Sequence, residues 1–121
     1  MYKKYRIIIW GAGDIAREII KHKNEKVEVL GFLDNNPAIK EFEGLQALDK
    51  NKVYEEDYDY IVICSRSYKE IYNQLLSMGI NSEKILDNSS HKAEIYSLYQ
   101  SDFFARKWKA LLQRRKMEIY I

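Results

Sequence analysis

The chain has 121 residues, 46% of them hydrophobic, and 20 Lys and Arg against 18 Asp and Glu give a net charge of +2. That length suits one compact domain and excludes a second full one, and the near-neutral balance excludes the broad basic excess of a nucleic-acid binder. The single cysteine, Cys64, excludes an internal disulfide. With no cleavable apolar leader and no run of about 18 apolar residues, the chain is expected to be soluble and cytoplasmic.

In chain order, Tyr5 to Trp10 reads as a first strand and about Asp14 to Lys23 as a helix. Ile15, Ala16, Ile19 and Ile20 fall on one side of that helix, with Arg17, Glu18 and Lys21 off it. Val27 to Leu33 is a second strand, and Asp34-Asn35-Asn36-Pro37 is a turn, because Asx residues favour turns and the residue before proline avoids helical backbone. A short strand is expected near Gly44 to Leu48. The acidic segment Tyr54 to Asp59 reads as a solvated approach to Tyr60–Cys64, a β-branched run suited to a strand buried on both faces of a parallel sheet.

Ser67 and Glu70 have the spacing of a capping box, opening a helix with Ile71, Leu75 and Leu76 on its inner face, and Gly79 stands where a glycine would stop it. Ile80 to Leu86 offers a further strand. Alternating strands and helices of these lengths specify an α/β fold, a Rossmann-like doubly wound parallel sheet over residues 1–90. Residues 91–121 form a C-terminal tail, expected to be helical and to pack on that domain or on a partner. Tyr96, Tyr99, Phe103, Phe104, Trp108, Leu111 and Leu112 recur there at helical spacing among Arg106, Lys107, Lys109, Arg114, Arg115 and Lys116. From His91 onward seven basic residues stand against three acidic ones, so the tail carries +4 and the first ninety residues −2. The tail covers the sheet, forms a dimer or partner interface, or meets an anionic membrane surface; Met117–Ile121 alternates like a strand.

The functional signal is the junction Trp10-Gly11-Ala12-Gly13-Asp14-Ile15-Ala16, a G-x-G-x-x-A turn between a strand and a helix. Gly11 permits a tight turn, Gly13 lets a phosphate approach the backbone, and Ala16 lets the helix pack close to the strand. The amides of Gly11, Ala12, Gly13, Asp14 and Ile15 are candidate anion donors, although Asp14 places a carboxylate where a phosphate would sit. Twenty-one residues after Gly13, Asp34 ends the second strand, suited to accept from a ribose and unfavourable to a 2′-phosphate. With Asn35 it either joins that site or opens an Asx turn, or does both. Ser65 and Arg66 follow the central strand, where α/β sheets bind ligands, and Arg66 either meets a diphosphate or is solvated. Cys64 reads as a buried structural thiol, and His22 and His91 as surface residues. No metal-ligand spacing, paired carboxylates or nucleophile elbow is present, and catalytic residues are not identified.

Ile8 to Ala16, Gly31 to Pro37, Tyr58 to Ile63 and Leu76 to Leu86 together resemble a family of Rossmann-like domains from bacterial surface-polysaccharide proteins. Such domains look like the N-terminal part of UDP-sugar acyltransferases, of nucleotide-sugar dehydratases and epimerases, and of some methyltransferase and glycosyltransferase-associated proteins. The resemblance covers about residues 5 to 88 and implies nucleotide contacts from Gly11, Gly13 and Asp34. It implies NAD or a UDP-sugar as the ligand, without choosing between them. The chain lacks the left-handed β-helix of the acyltransferases and the catalytic domain of the dehydratases. The expected function is therefore a nucleotide-binding module in surface-polysaccharide or nucleotide-sugar metabolism. The alternatives are a subunit or fragment of an NAD-dependent nucleotide-sugar oxidoreductase or dehydratase, with its remaining catalytic groups from a partner subunit or a truncated C-terminal region, and a non-catalytic scaffold acting through its tail.

Overall fold

A computed structural model describes residues 5–87 together with 91, 94, 95 and 97–99. Strand β1 (Tyr5–Trp10) leads to helix α1 (Asp14–His22) and strand β2 (Val27–Leu33). A two-stranded hairpin, β3 (Glu41–Phe42) with β4 (Leu45–Gln46), and a 3-10 segment, Lys50–Glu55, return the chain to β5 (Tyr60–Ile63). Helix α2 (Tyr68–Ser77), a 3-10 turn at Ser82–Lys84 and β6 (Ile85–Leu86) follow.

Four strands make one parallel sheet in the order β2-β1-β5-β6. Parallel strands need helical crossovers on their faces, and both faces of this sheet are covered. Ile7 and Ile9 of β1, Val62 of β5 and Leu86 of β6 pack with Ile15, Ala16 and Ile19 of α1. Ile8 and Trp10, Ile61 and Ile63, and Ile85 pack on the other side with Ile71 and Leu75 of α2. The period-two alternation of each strand thus feeds two separate cores, which is why these strands read as unbroken apolar runs. In β2 the pairing with β1 jumps from Ile7↔Val29 to Ile8↔Gly31. This bulge reverses the alternation, so that Phe32 joins the α1 side and Leu33 the α2 side.

Several expectations shift in detail. The short strand expected near Gly44 to Leu48 is half of a hairpin whose tip, Glu43 and Gly44, has positive φ at both residues (49° and 79°), the backbone of a tight hairpin turn. The strand expected over Ile80 to Leu86 is confined to Ile85–Leu86, because the Asn81 side chain accepts from the Glu83 amide at 2.9 Å and winds the preceding residues into a 3-10 turn. Ser67 precedes α2 but its side chain makes no capping bond. Its backbone (φ −83°, ψ 40°) is outside the extended region that caps adopt, and its amide donates to Ser65 Oγ at 3.1 Å. The other end of α2 is as the sequence indicates: Gly79 has φ +87°, and the amides of Gly79 and Ile80 donate to Leu76 and Leu75 in a Schellman pattern.

Of the tail, Ile95, Leu98 and Tyr99 are buried in the α1-side core, and the Asn24 amide donates to the Leu98 carbonyl at 2.6 Å. Tyr96 and residues 100–121, with the aromatic, basic and strand-like features expected of them, lie outside the described residues. Among the described residues no helix is long and apolar enough to cross a membrane.

Candidate functional site

Strand β1 has β2 on one side and β5 on the other, and the connections leaving β1 and β5 run to opposite faces of the sheet. Where neighbouring crossovers diverge in this way, a crevice opens at the carboxyl ends of the two strands. The residues placed there are Gly11 to Ile15 after β1 and Cys64 to Ser67 after β5, with Asp34 and Asn35 ending β2 alongside.

The two glycines of the turn differ in kind. Gly11 has φ +112°, and a Cβ on it would stand 3.1 Å from the Cys64 carbonyl oxygen, so both the backbone and the approach of β5 require glycine. Its amide donates to Leu33 O at 2.8 Å, joining the turn to β2. Gly13 is extended (φ −147°, ψ −165°), a conformation open to any residue, and among the described residues a Cβ there would meet nothing within 4 Å. Space therefore stands open above the backbone at the start of α1.

Asp34 is held by two backbone donors. Its Oδ2 accepts from the Ala12 amide at 2.9 Å and its Oδ1 from the Asn36 amide at 2.8 Å. One carboxylate thus ties the glycine turn to β2 and closes an Asx turn, while each oxygen keeps a further lone pair. The Ala12 amide, a candidate anion donor by sequence, is occupied by this bond. The first amides of a helix have no partner within it, and Gly13 and Ile15 stand at the start of α1, where an anion would meet them. Asn35, grouped with Asp34 by sequence, turns elsewhere: its amide pairs reciprocally with Gln74 of α2 at 3.1 and 3.2 Å and accepts from Lys50 Nζ at 2.9 Å. Asn35 therefore clamps the β2 turn to α2.

The Asp14 carboxylate, which by sequence opposes a phosphate, is paired with Arg17, whose guanidinium nitrogen lies 3.0 Å from Oδ1. Arg17 Nε also donates to Glu43 Oε1 at 2.7 Å, and the guanidinium lies 5.3 Å over the Phe42 ring. The Glu43 hydrogen bond, more than the nearby charges, raises the Arg17 pKa above its ordinary value. Neither Arg17 nor Glu43 is singled out by sequence, since a pair 26 residues apart has no periodic signature.

Ser65 Oγ accepts from the Ser67 amide, and Arg66, in the turn after β5, is exposed. Cys64 is buried, with Sγ 3.7 Å from the Val62 carbonyl, and desolvation pushes its thiol up to about 12. A protonated thiol closed from solvent is packing material and does not act as a nucleophile. His22 lies in the last turn of α1, 3.5 Å from Glu18. The His91 Nδ1 accepts from the Asp87 amide at 3.2 Å, which spends that lone pair on the backbone. Among the described residues no three His, Cys, Asp or Glu side chains gather as a metal site would require.

A family model described as C2185-like, N-terminal, matches residues 3–86. No curated protein matches the chain.

Proposed function

We propose, from the premise that the chain belongs to the C2185-like family through this N-terminal domain, that it is a Rossmann-like nucleotide-binding module. Its ligand is NAD or a UDP-sugar, bound with the phosphates over Gly13 and a ribose at Asp34, and its place is in bacterial surface-polysaccharide or nucleotide-sugar metabolism. The observation that carries this reading is Gly13. Among the described residues nothing calls for glycine at that position, whereas a diphosphate lying on the amides of Gly13 and Ile15 would need the space a side chain fills. Asp34 supports it, because a carboxylate already fixed by two amides has lone pairs left for ribose hydroxyls and repels a 2′-phosphate. Binding, and not turnover, is the proposed activity, since the buried Cys64 offers no nucleophile and the Asp14 carboxylate is engaged by Arg17.

The test is the melting temperature of the 121-residue chain with millimolar NAD, NADH, UDP, UDP-N-acetylglucosamine and S-adenosylmethionine in turn. A ligand at 100 times its dissociation constant contributes about 2.7 kcal/mol, a rise of roughly ten degrees for a domain of this size. Gly13→Val is expected to abolish the rise while leaving the unliganded melting temperature within about two degrees, because its side chain enters open space. No rise with any compound removes the nucleotide reading.

A further inference from the structure

Arg17 follows Gly13 by four residues, so helix geometry sets it on the same side of α1, one turn below the open space. Its guanidinium is shared between two carboxylates, Asp14 on its own helix and Glu43 at the tip of the β3–β4 hairpin. Glu43 makes that contact from left-handed backbone (φ 49°), the one non-glycine residue so placed among those described. Each carboxylate touches Arg17 through one oxygen, and the partners are 29% to 63% exposed, so solvent screens both contacts. A diphosphate offers the same guanidinium two parallel hydrogen bonds and a higher charge, and it binds the α1 amides as well.

Resting on the nucleotide reading above, we infer that Arg17 receives the diphosphate of the ligand, and that Glu43 occupies the guanidinium until the ligand displaces it. Ligand binding then detaches the hairpin tip from α1, while Asp14 keeps its own contact with Arg17. The hairpin acts as a latch on the site, and Arg17 is the group exchanged between latch and ligand.

The experiment is a titration of the full chain, nitrogen-15 labelled, with UDP, with NAD and with inorganic pyrophosphate, followed by NMR. The expected result is that the amides of Gly13 and Ile15, the Arg17 Nε–H and the amides of Glu43 and Gly44 shift along one saturation curve. Glu43→Gln is expected to tighten binding by up to about fivefold, the worth of a screened ion pair. Arg17→Gln is expected to weaken it by about 10- to 100-fold, the worth of a charged hydrogen bond, and Arg17→Lys by less. Their amide spectra establish that the variants fold. Shifts at Gly13 and Ile15 with Arg17 unmoved and the Glu43→Gln affinity unchanged overturn the latch and leave the nucleotide reading standing. No shift with any of the three probes overturns both.

Discussion

At Cys64 burial alone sets the chemistry. The thiol belongs to the buried α1-side core, and desolvation raises its pKa to about 12 from an ordinary value of 9.0. The unfolded thiol ionises first as pH rises, so the stabilisation is complete below about pH 9 and is lost as pH climbs towards 12. Tyr99 and Tyr58 shift in the same direction, also through desolvation. In that window each pH unit should lower the folding constant by up to about tenfold on account of Cys64. Urea unfolding between pH 8 and 11 should therefore show a steeper alkaline loss for the native chain than for Cys64→Ala, which lacks the titrating group; equal slopes would refute the assignment.

Among the elements, α2 shows that the two ends of one helix are fixed by different forces. Its C-terminus is a backbone problem with a local answer: left-handed φ at Gly79 lets two amides turn back onto the last carbonyls, while Ile80 and Leu75 share the apolar cluster beneath. Its N-terminus has the capping letters Ser67 and Glu70 without the side-chain bond, because the Ser67 backbone is outside the extended region that caps adopt, and Ser65 Oγ takes the Ser67 amide that Glu70 would meet. Gly79→Ala is expected to cost about 1 kcal/mol, and Ser67→Ala under about 0.5 kcal/mol, below the loss typical of a working cap. Chemical denaturation of the two variants checks the order, and a larger loss for Ser67→Ala would restore the capping box.

For the whole molecule, the core runs past the family match. The matching residues stop at 86, and the composition changes near residue 90, yet Ile95, Leu98 and Tyr99 are buried against α1 and β5. Each contributes about 1.5 to 3 kcal/mol of burial, a large share of the 5 to 15 kcal/mol that holds an ordinary domain together. A chain ended after residue 90 should therefore lose most of its cooperative urea transition, while one ended after residue 99 retains these three side chains. If the two truncations unfold at the same urea concentration, residues 95–99 are not part of the core.

The sequence by itself determined β1, α1, β2, β5 and the C-terminal stop of α2, since alternation, helical periodicity and a left-handed glycine are local properties of a chain. It also located the glycine turn and Asp34, whose spacing is that of one strand, one helix and one strand. It could not say that Asp34 would spend its oxygens on Ala12 and Asn36, that Asn35 would turn to Gln74, or that Arg17 would be held by Glu43. Those bonds join residues brought together only by the order of strands and the return of the hairpin. Tertiary structure also separated the two glycines, because Gly11 is required by its left-handed backbone and by the Cys64 carbonyl more than fifty residues away, whereas among the described residues nothing crowds Gly13.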